Sequence, residues 1–165
     1  PMTITAPTPA LNRSRTPDPS LVALLQRVVD DCHRWLPLVR FDTDERYWVR
    51  LDVPEDVDLW LLTWTTAQGT ELHDHGDSEA AFAVISGVLS ETRVRDDELV
   101  VLERRPGAVV SVLPGELHDV RNELPEPAIS THAYSPRLAT MTFYSFGDGR
   151  ATPVRTVHGD VPEVD

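Results

Sequence analysis

His73 and His75 stand either side of Asp74 in the stretch TELHDHGDSEAAFAVISG, residues 70 to 87. In an extended chain residues i and i+2 project to one side, so the two imidazoles converge while Asp74 turns away. Imidazole suits iron, zinc, copper and nickel, and a third ligand is needed for a site that keeps positions open for chemistry. His118, beyond the Pro-Gly turn in GAVVSVLPGELHDVRN (107–122), is the favoured third ligand, and His132 in AISTHAYS (128–135) is the alternative. Three neutral imidazoles would leave the whole charge of a divalent metal for an anionic substrate, so thiolates and carboxylates would be welcome. Ser130, His132 and Tyr134 alternate along one predicted strand and therefore share a face.

The elements that must carry these groups follow from the pattern of apolar residues. Ser20 can cap a helix whose stripe of Leu21, Leu24, Leu25, Val28, Val29, Cys32 and Trp35 ends before Pro37. Cys32 on that stripe reads as a small buried hydrophobe, and His33 as solvated. A second short helix is expected in DTDERYWVRL (42–51), with Asp42 or Thr43 as its cap. Beyond it the period changes. VDLWLLTWTT, AAFAVISGVLSETRVR, ELVVLER, GAVVSVLPGELHDVRN, AISTHAYS and ATMTFYSF are short, β-branched and aromatic, and punctuated by turn residues. The predicted body is mainly β, a sandwich or barrel under a small N-terminal helical cap.

Composition bounds the rest. The chain of 165 residues suits one domain able to bury a core without staples. Residues 1–19 hold five prolines and few large apolar side chains and read as a disordered arm; the domain is expected over 20–157, and 158–165 as a loose polar tail in which His158 is exposed. A net charge of -12 argues against nucleic acid and anionic membranes as partners. A single cysteine, with no membrane span and no signal peptide, reads as a soluble cytoplasmic protein, monomeric or weakly oligomeric.

The histidine spacings resemble the two motifs of the cupins, a β-barrel superfamily. The second fits almost position by position: Gly107, Leu113 where proline is usual with the proline displaced to Pro114, then Gly115, His118 and Asn122. The place of the usual cupin glutamate is taken by Ala80. Glu79 is one residue earlier, where it should face away from a metal.

Trp64, His73–Asp74–His75, Asp77, Ser78, Gly87, Leu117, His118, Asn122, Glu126–Ala128 and the run Ser130, His132, Tyr134, Ser135, Pro136 together resemble one branch, the thiol dioxygenases, and type I cysteine dioxygenases of bacteria in particular. The resemblance implies a cupin jelly roll holding Fe(II) on His73, His75 and His118. It implies that Ser130 orients His132 and His132 orients Tyr134, and that Arg50 clamps the carboxylate of L-cysteine while O2 oxidises its thiol to the sulfinic acid. Arg46, a helical turn earlier, is the rival of Arg50. The family tyrosine two residues before that arginine is here Trp48, with Tyr47 one step further. The animal enzymes carry a cysteine at the place of Ala80, linked to the tyrosine matching Tyr134; here no such link can form. The competing expectations are a dioxygenase of another small thiol such as 3-mercaptopropionate, a metal-binding cupin without catalysis, and a zinc-dependent isomerase-like cupin.

Overall fold

A computed structural model describes residues 19–159, except 54. The expected arm over 1–19 therefore lies, apart from Pro19, outside the described residues, as do positions 160–165 of the expected tail. The elements run α1 (Pro19–Asp30), α2 (Cys32–Trp35), a 3₁₀ turn (Leu36–Leu38), β1 (Trp48–Arg50), β2 (Asp58–Trp64), β3 (Glu79–Ser86), β4 (Leu89–Arg95), β5 (Glu98–Arg104), β6 (Val109–Val112), β7 (His118–Arg121), β8 (Ala128–Ser135), β9 (Thr140–Gly147) and β10 (Arg150–His158).

Two sheets face each other. The first has the order β1-β2-β8-β3-β6. The second is built from β5-β4-β7 and β10-β9, and His73 stitches these two parts together by bridging to His118 on one side and to Phe143 on the other. The metal-ligand candidate is thus itself a member of the sheet. Alternation decides what each face buries. Trp60, Leu62 and Trp64 of β2 point between the sheets to meet Phe82, Val112, Val120, Tyr134, Met141 and Phe143. Leu59 and Leu61 point the other way and pack with Ala81 and Ala133 against Leu21, Leu25 and Val28 of α1. Strand β2 is therefore buried on both faces, which explains its unbroken apolar run.

At Gly87, between β3 and β4, φ is +78° and a Cβ would lie 2.6 Å from the Pro127 carbonyl oxygen, so the turn admits only glycine.

Four expectations need correction. The first helix does not run through to Pro37: Asp31 leaves the helical region at φ -100° and ψ 78°, and the chain restarts as α2. That break takes Cys32 off the apolar stripe, and its side chain is exposed. The second helix is absent. Asp42 does cap, its carboxylate accepting the backbone N–H groups of Asp44 at 2.8 Å and Glu45 at 3.3 Å, but it closes a turn, and Trp48–Arg50 then pairs with β2. Finally, β10 extends to His158, which pairs with Thr140, so this histidine ends a strand; His158 and His33 are exposed as expected. Among the described residues no helix is long and apolar enough to cross a membrane.

Candidate metal centre

The segment carrying His73 and His75 is held on both edges. His73 exchanges backbone hydrogen bonds with His118 at 2.9 and 3.0 Å, the Asp74 N–H donates to Thr142 at 3.0 Å, and the Tyr144 N–H donates to Leu72 at 2.8 Å. Asp74 turns outward, as its alternate position requires, and clamps the segment. Its Oδ1 accepts the N–H groups of Gly76 at 3.1 Å and Thr142 at 3.3 Å, and its Oδ2 accepts the Tyr144 hydroxyl at 2.7 Å. Burial, and then the hydrogen bond and charge of Asp74, push the Tyr144 phenol up to about 12, so this hydroxyl remains a donor.

The three imidazoles of His73, His75 and His118 are buried, with one ring nitrogen of each lying within 4.8 Å of the others. His73 Nδ1 lies 2.7 Å from the Glu71 carbonyl oxygen. A carbonyl only accepts, so Nδ1 carries the proton and Nε2 keeps the lone pair. That Nε2 lies 3.1 Å from His75 Nε2. Two nitrogens each ~2.1 Å from one metal stand ~3 to 3.5 Å apart, so the pair has the spacing of neighbouring ligands. On the third side His118 Nδ1 lies 2.8 Å from Glu91 Oε1. A carboxylate only accepts, so Nδ1 carries the proton and Nε2 keeps the lone pair. Two of the three tautomers are thus set from behind for metal binding, and the donor set fits a transition metal. Glu79 is not a member of the cluster, in keeping with its expected outward phase; the structure gives it only as half-buried.

Glu91 went unnoticed in the sequence, where it is 27 residues from His118. Its side chain is fully buried. Arg93 Nε donates to its Oε1 at 2.9 Å and Arg104 Nε to its Oε2 at 2.8 Å. Burial pushes the Glu91 carboxyl up, but the hydrogen bond and charge of His118 and the two guanidiniums outweigh it and hold the group at about 2. Glu91 is thus an ionised acceptor throughout the neutral range. Arg93 also reaches the Ser111 carbonyl at 2.6 Å and Glu116 at 3.3 Å, so the group tying down His118 spans both sheets. Charged residues at every second position of SETRVR read as a solvated strand face; only the register with β7, which sets Glu91 opposite Val120 and Arg93 opposite His118, reveals the contact.

Ser130, His132 and Tyr134 share the inward face of β8. Ser130 Oγ and His132 Nε2 are 2.9 Å apart, and the Tyr134 ring centroid is 5.1 Å from that of His75. The fold therefore brings the far end of this run to the histidine cluster. His132 stacks on Phe82 at 5.1 Å and 13° and does not join the three-histidine cluster.

The two rival arginines take different places. Arg46 is buried, its guanidinium 4.6 Å from the centroid of the Trp64 ring. The Arg50 side chain is 38% exposed. Its guanidinium lies 4.4 Å from the centroid of the Trp60 ring and 3.6 Å from Asp58 Oδ1. Asp58, which the sequence did not single out, is buried and also accepts the Leu138 N–H at 2.9 Å.

Residues 11–146 match the family described as cysteine dioxygenase type I. The chain belongs to that family. Among curated members it is 30% identical over 131 residues to cysteine dioxygenase type 1 of Homo sapiens, covering 72% of this chain and 64% of the human protein. With the enzyme of that name from Danio rerio it is 32% identical over 136 residues, covering 73% of this chain and 66% of the other. The match to the Bos taurus protein covers 46% of its length, so the chain spans between about half and two thirds of these relatives. Among solved structures, a double-stranded β-helix protein from Klebsiella pneumoniae superposes with a TM-score of 0.54 at 20% identity, covering 77% of this chain and 94% of that one. An oxalate oxidase superposes with a TM-score of 0.52 at 16% identity, covering 62% and 56%. The fold is therefore the expected cupin barrel, and in this chain it holds a buried cluster of three histidines.

Proposed function

We propose that this chain is an iron-dependent dioxygenase that oxidises the thiol of L-cysteine to cysteine sulfinic acid with O2. The observation that carries the reading is the Ser130–His132–Tyr134 run ending against a buried cluster of three imidazoles. A protein that only stores a metal has no use for an oriented phenol at its edge. In the net reaction both atoms of O2 are added to sulfur, which loses four electrons, and no external reductant is needed. Fe(II) on His73, His75 and His118 would supply the redox chemistry, and it suits a thiolate because the neutral ligands leave its charge uncompensated.

The remaining tasks fall to side chains. Arg50 would bind the substrate carboxylate with its planar fork, and Trp60 beneath it and Asp58 beside it would hold the fork in place. Tyr134 would offer its hydroxyl to the reacting sulfur and oxygen atoms, with His132 and Ser130 behind it. Trp60, Phe82 and Phe143 would keep water from the cavity.

The test is a substrate panel. Iron-loaded protein is offered cysteine, cysteamine, 3-mercaptopropionate and homocysteine, with oxygen uptake and sulfinate measured together. Cysteine should be consumed with one O2 per sulfinate. A preference for 3-mercaptopropionate would move the substrate assignment, and metal binding without thiol oxidation would make this a non-catalytic cupin.

A further inference from the structure

Trp64 is fully buried in β2, and its indole Nε1 lies 2.8 Å from Ser130 Oγ. The same oxygen lies 2.9 Å from His132 Nε2. All three residues are buried, so water cannot substitute for either partner. An indole N–H can only donate, and a serine hydroxyl has a single proton. Ser130 must therefore accept from Trp64. The oxygen has a second lone pair, but Trp64 and His132 are the only partners of this hydroxyl among the described residues, so its buried proton can go only to His132, whose Nε2 is then the accepting nitrogen.

We infer that Trp64 is a positioning residue that sets the proton polarity of the whole run, fixing neutral His132 with its proton on Nδ1. Register places the donor where this requires: Trp64 pairs with Ala128 and Leu62 with Ser130, so Trp64 and Ser130 are diagonal neighbours on one face. Two further contacts hold this residue, one on its backbone and one on its ring. The Asn122 side-chain amide donates to the Trp64 carbonyl at 3.2 Å, and the Arg46 guanidinium covers the ring at 4.6 Å. A cation over the π face draws charge from the ring and makes its N–H a better donor. The buried arginine thus serves the tryptophan, which gives Arg46 a role distinct from carboxylate binding.

The consequence for the reaction rests on the thiol-oxidising reading. With its proton on Nδ1, His132 has a donor to offer toward Tyr134, the next polar residue on its strand face. Tyr134 can then accept from behind and keep its own proton for the metal cavity. With the opposite tautomer, His132 could only accept there, and the phenol proton would be turned away from the cavity.

The experiment is 15N NMR of the full chain with labelled histidine, in the absence of paramagnetic metal at neutral pH, the His132 signals being assigned by comparison with His132→Gln. In the unaltered protein Nδ1 should show the shift of a protonated, pyrrole-type nitrogen and Nε2 that of a pyridine-type nitrogen. A proton on Nε2 overturns the inference without any variant. Trp64→Phe removes the N–H that keeps the Ser130 proton turned toward His132, so the two His132 shifts should move toward each other as the second tautomer becomes populated. Unchanged shifts in that variant would remove Trp64 as the determinant. If Trp64→Phe does not fold, benzothienylalanine at position 64 replaces N–H by sulfur in the same shape and has the same two outcomes. Sulfinate formation is measured separately: the expected tautomer in a protein that oxidises no thiol would count against the reaction and leave the inference intact.

Discussion

Glu91 holds His118 by a 2.8 Å hydrogen bond to Nδ1 while two guanidiniums share the same carboxylate. The imidazole is thereby set with its other nitrogen facing His73 and His75, and the Glu91 charge is matched inside the barrel. Carboxylate partners of this kind typically add ~10- to 100-fold to metal affinity.

Glu91→Gln keeps an acceptor but loses the charge, so it should fold and bind metal roughly 10-fold or more weakly, measured by chelator competition with Co(II) or Zn(II). Glu91→Ala leaves Arg93 and Arg104 facing an empty place and should lower stability by about 3–5 kcal/mol in denaturant titrations. His118→Ala should lose most bound metal while the barrel stays folded. Wild-type affinity in Glu91→Gln would show that the Glu91 charge adds nothing to metal binding.

Arg50 and Arg46 are separated by a different test. If Arg50 clamps the carboxylate, Arg50→Ala should lower kcat/KM for cysteine by about 10- to 100-fold, the value of one charged hydrogen-bonded contact, and hardly alter that for cysteamine, which has no carboxylate. Arg50→Lys should recover little, because an ammonium lacks the planar fork. Arg46→Ala, with the guanidinium lost from the buried face of Trp64, should act on both substrates alike and lower Tm. Equal losses on both thiols in Arg50→Ala would make that residue structural.

The strands that build the site were legible because each carries its own signal: β5 and β8 coincide with ELVVLER and AISTHAYS, and alternate spacing alone placed Ser130, His132 and Tyr134 together. What escaped notice depends on pairing. Glu91 meets His118 only through the β4–β7 register, and Asp58 meets Arg50 only across two strands. Strand β10 was missed because Pro153 and a run of exposed residues interrupt its pattern. It is tolerated as an edge strand that, among the described residues, pairs with β9 alone and shifts register after Pro153. In 42–51 the acidic first turn suggested a helix, but the apolar residues after it are shared with the barrel, and tertiary pairing outweighed local propensity.

Ala80 and Tyr134 are directly opposed Cα partners on β3 and β8. Both are buried, and side chains so opposed stand on one face with Cβ atoms ~4.5–5.5 Å apart. The sequence resemblance put a cysteine at the place of Ala80 in the animal enzymes, bonded to the tyrosine matching Tyr134, and here the register alone sets these two positions face to face. Ala80→Cys, incubated with Fe(II), cysteine and O2, should therefore form a thioether to Tyr134. The S–H and one ring C–H are lost, dioxygen takes the two electrons, and the joined peptides weigh two hydrogens less than their sum. Mass spectrometry should find that pair only when iron and oxygen are both present. Adding Tyr134→Phe should abolish the link, and Tyr134→Phe alone should slow sulfinate formation or let oxygen uptake exceed it. A link to Tyr47 or Tyr144 instead would mean that the Tyr134 ring does not face position 80. If Tyr134→Phe left both rate and coupling unchanged, the three histidines could still hold a metal, but the phenol would have no part in the chemistry.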